Sequence, residues 1–168
     1  MLRLRPLRPA DETEFRAGHE TMASEGRLFG LVFSGGVSWD AYLKTLEDHR
    51  NGVNLPERFV PSTFLVADVA GEIVGRTSIR HRLNEVLLHE GGHIGYAVLP
   101  AHRRRGYATE ILRQSLIVAR SLGVDRVLVT CNDDNIGSIK AIEACGGRLE
   151  NVVPKESSTV LIRRYWID

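Results

Sequence analysis

The hydrophobic pattern of this chain changes period several times between residues 1 and 168, and each change marks an element. Leu2, Leu4 and Leu7 begin an extended segment that Pro6 and Pro9 keep from continuing inside a sheet, so an edge strand is expected. A helix is predicted from Asp11 onward. Ser38 stands where it can cap a second helix, which carries Trp39, Tyr42, Leu43 and Leu46 at helical spacing. Between them, Gly26 to Val37 holds four glycines with Phe29 and Phe33 and reads as a loop, as does Asn51 to Pro61. From Thr63 the period shortens to that of a strand. Phe64 to Val69, the turn Ala70-Gly71-Glu72 and Ile73 to Ile79 predict a hairpin.

A third strand is expected over His93 to Leu99, ended by Pro100, and a helix over about Gly106 to Leu122, stopped at Gly123. Val127 to Thr130 reads as a buried strand, and Asn135 to Cys145 as a helix stopped by Gly146-Gly147. Strands near Leu149 to Val153 and Thr159 to Ile167 close the chain. This order predicts an α/β (α+β) fold with a mixed, largely antiparallel sheet in a single domain spanning residues 1–168. No repeat, linker, G-x-G-x-x-G after a strand or G-x-x-x-x-G-K-[ST] interrupts it, so Rossmann and P-loop nucleotide folds lack their signatures.

Composition narrows the function. An apolar fraction of 43% and a charged fraction of 26% suit a globular core. The 22 Lys and Arg nearly balance 21 Asp and Glu, so no global field points to nucleic acid or an acidic membrane, and any anion site is expected to be local. Cys131 and Cys145 match neither a disulfide framework nor a zinc ribbon, which fits a reducing cytoplasm. The start, with Arg3, Arg5 and Arg8 and no continuous apolar run, does not read as a signal peptide, and no run approaches the ~20 apolar residues that span a bilayer. A soluble, cytoplasmic protein is expected.

The local anion site is expected at Ala101-His102-Arg103-Arg104-Arg105-Gly106-Tyr107-Ala108-Thr109, which leads into Ile111, Leu112, Leu116 and Ala119 on one helical face. A helix start offers free N–H groups and a partial positive charge, and small residues let a pyrophosphate approach that backbone. The arginines add charge-assisted contacts. The same run would also serve as a solvated basic patch, or as a phosphate patch for nucleic acid, which near-neutral net charge argues against. His89-Glu90-Gly91-Gly92-His93 spells H-E-x-x-H, but paired glycines and the strand that follows deny it the helix that zinc peptidases need, so no metal is expected.

Val98-Leu99-Pro100 followed by Arg103-x-x-Gly106-x-Ala108 resembles the GNAT superfamily motif that binds coenzyme A, and Asn135 to Gly146 is similar to that family's N-x-x-S-x-x-x-x-E-x-x-G. The two blocks occur in the family's order, and the resemblance covers about Phe64 to Gly147. The pieces around His93-Ile94-Gly95-Tyr96 look most like the branch containing ribosomal-protein and many small-molecule acetyltransferases. It implies a sheet with helices on both faces and a splayed cofactor cleft. It further implies acetyl transfer from acetyl-CoA to the primary amine of a small molecule or a peptide, and a noncatalytic acyl-CoA-binding module is the alternative. Dimers are common in such families, and a homodimer is left open. The sequence departs from the pattern at His93, where relatives commonly carry glutamate, at Ile142, where many carry the tyrosine that protonates the thiolate, and at Gly147, where an aromatic is usual.

The resemblance places cofactor contacts at Ala97, Val98, Arg103, Arg104, Arg105, Gly106, Tyr107, Ala108, Thr109, Asn135 and Ser138, with a backbone N–H near Ala97 or Val98 polarising the thioester. Acyl transfer also needs a base and an acid. His93 titrates near neutrality and is a candidate base or a hydrogen-bonded structural residue; Glu85 and Glu90 are second choices. Ser138, one turn after Asn135, is a candidate acid, and Cys131 reads as a packed thiol rather than a nucleophile.

Overall fold

In the computed structural model, which describes residues 1–168, Leu2–Arg5 forms strand β1 on a sheet edge. A 3-10 turn over Pro9–Asp11 leads into helix α1, Glu12–Ser24. Asp11 therefore precedes the helix. Its carboxylate accepts from the Arg8 N–H at 2.7 Å and from the Arg5 guanidinium, which also bonds Asp68 at 2.8 Å. Helix α2 covers Trp39–Asn51 and is capped as expected, the Ser38 hydroxyl accepting the Ala41 N–H at 3.3 Å.

The hairpin is β2, Ser62–Val69, paired antiparallel with β3, Glu72–Arg80, through a turn in which Ala70 and Gly71 both take positive φ, the geometry that matches the twist of two strands. A five-residue helix α3, Glu85–His89, follows. One turn is too short to show a hydrophobic period in the sequence; Asn84 caps it by accepting the Leu87 N–H at 2.9 Å. Strand β4 is Ile94–Val98, helix α4 Tyr107–Ser121, strand β5 Val127–Asn132 and helix α5 Ile136–Ala144. Strands β6, Arg148–Pro154, and β7, Leu161–Ile167, end the chain.

The strands form two antiparallel ladders, β1-β2-β3-β4 and β5-β7-β6. Strands β2 and β3 are buried along most of their length because helices cover both faces. On one face Phe15, Phe29, Trp39 and Tyr42 pack over Phe64 and Val66; Phe15 lies 5.5 Å from Phe29 and 5.4 Å from Trp39 between ring centroids. On the other, Leu112, Leu116 and Ala119 of α4 and Ile139 and Ile142 of α5 cover Ile79, Ile94, Val127 and Val129. Burying one Leu or Phe side chain contributes about 1.5–3 kcal/mol, so these two layers dominate the stability. No helix is long and apolar enough to cross a membrane.

Candidate active site

Between β4 and α4 the chain takes the turn Leu99 to Gly106, with Arg104 at φ 60° and Gly106 at φ 78°. Gly106 is the N-cap of α4 and supplies no capping side chain; the first helical bond is Glu110 N–H to the Gly106 carbonyl at 3.2 Å. The N–H groups from Arg104 to Thr109 consequently have no protein acceptor. Their positive ends, added to the helix dipole, make a concentrated anion site. Arg104 and Arg105 are exposed beside it and free to contact phosphate. Arg103 is not free. Its Nε donates to the Val98 carbonyl at 3.2 Å and its Nη2 to Glu25 at 2.6 Å, so its side chain ties the turn to the end of α1.

The β3–β4 register decides which backbone groups of β4 face β5. Leu99 N–H bonds the Val74 carbonyl and Arg80 N–H the His93 carbonyl, and Arg76 lies opposite Ala97 without a register shift. Antiparallel alternation turns the Ala97 N–H toward β3 and leaves Tyr96 and Val98 facing the gap. Of the two expected positions, only Val98 presents a donor there. The gap exists because β4 and β5 belong to separate ladders. They touch at His93, whose N–H donates to the Leu128 carbonyl at 2.7 Å while its Nδ1 accepts the Leu128 N–H at 2.9 Å.

That contact determines what His93 can do. Its Nδ1 is occupied by a backbone donor, so the neutral ring carries its proton on Nε2 and no basic nitrogen remains free. Burial and the neighbouring Arg80 further lower its pKa. The imidazole acts as the strand acceptor that a carbonyl would otherwise supply. The other histidine of H-E-x-x-H, His89, bonds the Pro154 carbonyl at 3.0 Å, and Gly91 and Gly92 at φ 96° and 62° separate the two rings. Glu85 is exposed on α3. Glu90 instead lines a cavity of about 290 Å³ with Gly91, Thr130, Cys131, Asn132 and Lys155. A larger hollow of about 420 Å³ lies at the β2–β3 turn beside Met1 and Asp68, remote from these groups.

Across the gap, Asn135 caps α5, its side-chain oxygen accepting the Ser138 N–H at 3.1 Å. Ser138 lies beside the Tyr96 hydroxyl, which is buried without completing a hydrogen bond. Burial pushes the Tyr96 phenol up to about 12 and the Cys131 thiol up to about 11, so both stay protonated at neutral pH. A neutral thiol at this position does not favour covalent chemistry. The sequence reading missed Tyr96. Its only signal was position, two residues before Val98 on the same strand. Ile142 is fully buried in the core.

Several solved structures share this architecture. Mycobacterium smegmatis RimJ in complex with CoA-disulfide superposes with a TM-score of 0.72 at 19% identity, covering 99% of this chain and 81% of that one. Salmonella typhimurium yncA, a putative acetyltransferase with its cofactor acetyl-CoA, gives 0.66 at 17% identity over 99% and 93%. Mutant forms of the spermidine/spermine N-acetyltransferase SpeG from Vibrio cholerae give 0.67 at 16% over 99% and 92%. No curated protein sequence matches significantly. Residues 1–148 match the family model described as the acetyltransferase (GNAT) domain, and the chain accordingly belongs to the GNAT family of acetyltransferases.

Proposed function

We propose that residues 1–168 act as one cytoplasmic domain that transfers an acetyl group from acetyl-CoA to the primary amine of a small molecule or peptide. The observation that carries this reading is the run of unbonded N–H groups from Arg104 to Thr109 at the mouth of a gap between two ladders. A pyrophosphate would be held by that run, with Arg104 and Arg105 adding charge, and the pantetheine arm would lie between β4 and β5. Neighbours of the same fold hold CoA-disulfide or acetyl-CoA, which supports the assignment. The two free cysteines fit a reducing compartment.

Within this reading, the Val98 N–H donates to the thioester oxygen and stabilises the charge that develops there. Glu90, directly or through water, is our candidate to receive the ammonium proton, since His93 is occupied and Glu90 lines the cavity beside Thr130 and Cys131. Tyr96 does not act as a full acid. A phenol near 12 lies about 3–4 pKa units above an ordinary thiol, roughly 5 kcal/mol uphill for proton transfer, so its role is to donate a hydrogen bond to the leaving sulfur. Ser138, beside that hydroxyl, is the second candidate to donate to the leaving sulfur.

Acetyl-CoA is expected to raise the melting temperature, because it binds the native state and not the unfolded chain. An amine panel with thiol release as readout then separates transfer from binding alone. A thermal shift without thiol release for any amine would favour a noncatalytic acyl-CoA-binding module. No shift and no calorimetric heat would overturn the reading.

A further inference from the structure

On the α1/α2 face of the sheet, Arg76, Ser78 and Arg80 alternate along β3, and Ser78 stands opposite Gly95 of β4. The Arg76 guanidinium donates to the Gly95 carbonyl at 3.1 Å and to the Leu28 carbonyl at 3.0 Å. Arg80 donates to the carbonyls of Gly91 and Gly92, both at 3.0 Å. A methyl group added at Gly95 would lie 3.8 Å from a guanidinium nitrogen of each arginine, so the two cations converge on the notch that this glycine leaves open.

Nothing in the protein neutralises them. Neither arginine forms an ion pair; burial lowers the pKa of both, and the charge of Arg80 lowers that of Arg76 further. The Nε of Arg76 and the hydroxyl of Ser78 are buried with no hydrogen-bond partner. Two half-buried like charges beside two orphaned donors are unfavourable in the protein alone. Carbonyl bonds would hold a neutral amide equally well and do not account for the paired charge. An anion accepting from all three side chains does.

We infer that Arg76, Ser78 and Arg80 form an anion pocket over Gly95 that receives the acidic group of the acceptor, making the acceptor an amine that carries a carboxylate or phosphate. This rests on the acetyl-transfer reading. Gly95 precedes Val98 by three residues, about 10 Å along a strand, so one small molecule can hold its anion at the arginines and its amine at the thioester. A polyamine would meet like charge there.

The experiment uses the full chain with each proteinogenic L-amino acid, its α-amide, phosphoethanolamine and spermidine. Binding is read by calorimetry and thermal shift, and transfer by thiol release from acetyl-CoA. At least one anionic amine is expected to bind and react tenfold or more better than its uncharged counterpart, the loss that follows when a charge-assisted pair is removed. Phosphoethanolamine against the amino acids tells which anion is read. Arg80→Gln and Arg76→Gln are expected to collapse the acid-over-amide ratio at least tenfold, and Arg80→Lys to restore part of it, while the acetyl-CoA thermal shift reports that each variant is folded. Equal binding of acids and amides, or spermidine as the preferred acceptor, would overturn the pocket. Anion binding without any acetyl-CoA shift would leave the pocket standing and overturn the acetyl-transfer reading instead.

Discussion

His93 and Leu128 exchange two hydrogen bonds, backbone N–H to carbonyl at 2.7 Å and backbone N–H to imidazole Nδ1 at 2.9 Å, and this pair closes the narrow end of the gap between β4 and β5. His93→Ala orphans a buried N–H and should cost about 1–3 kcal/mol in chemical denaturation. The pH dependence has a defined sign. Burial lowers the pKa of His93, and likewise of His19, His49 and His81, so the unfolded chain binds protons first. Stability is fully present above about pH 6.5 and falls as pH drops below it through the depressed folded values. Between pH 7.5 and 5.5 a folded His93→Gln protein should lose less stability than the parent. If its turnover lost the parent's rise in rate with pH, His93 would return as the base.

Gly106→Val is expected to abolish the thermal shift with acetyl-CoA. The residue sits at φ 78°, where a side chain costs roughly 1–2 kcal/mol, and a branched side chain would stand over the free N–H groups. Arg104→Ala and Arg105→Ala should weaken acetyl-CoA binding and flatten its salt dependence, since these exposed cations act through screened attraction. Arg103→Ala should leave the salt slope close to the parent's, because its charge already faces Glu25. Calorimetry at two ionic strengths distinguishes them.

Tyr96→Phe should reduce kcat about tenfold or more with little change in the acetyl-CoA thermal shift, and it should not destabilise the fold. The deleted hydroxyl is buried and lacks a completed bond, so removing it removes an unmet desolvation cost. Steady-state kinetics combined with urea denaturation tests both halves. A loss of stability with unchanged kcat would assign Tyr96 to packing alone.

Arg5→Ala should destabilise by about 3–5 kcal/mol, since it leaves the buried carboxylates of Asp11 and Asp68 without their main partner. Both have pKa values held down by hydrogen bonds and charge from Arg5 despite the opposing effect of burial. Their stabilisation is therefore present above about pH 3.9 and lost as pH falls through the lower folded values. An acid titration of the parent should show this late loss, and Arg5→Ala should lack it.

What the sequence determined by itself is the local part of the molecule. The capping Ser38, the Ala70-Gly71 turn, Gly106 before a helix and the glycines after α5 each act within a few residues, and their chemistry fixes the backbone wherever they stand. The turn before α4 was legible for that reason. The roles of Arg103, His93 and Tyr96 were not, because each depends on a partner distant in the chain: Glu25 for the arginine, Leu128 for the imidazole, and Ser138 for the phenol. Arg76 and Arg80 read as ordinary polar positions of a strand until folding brought their guanidinium groups together over Gly95, half-buried and without a counter-ion. Sequence spacing specifies which groups are neighbours along the backbone. Burial and charge pairing, which decide whether those groups can take a proton or bind an anion, arise only when separate elements are packed against one another.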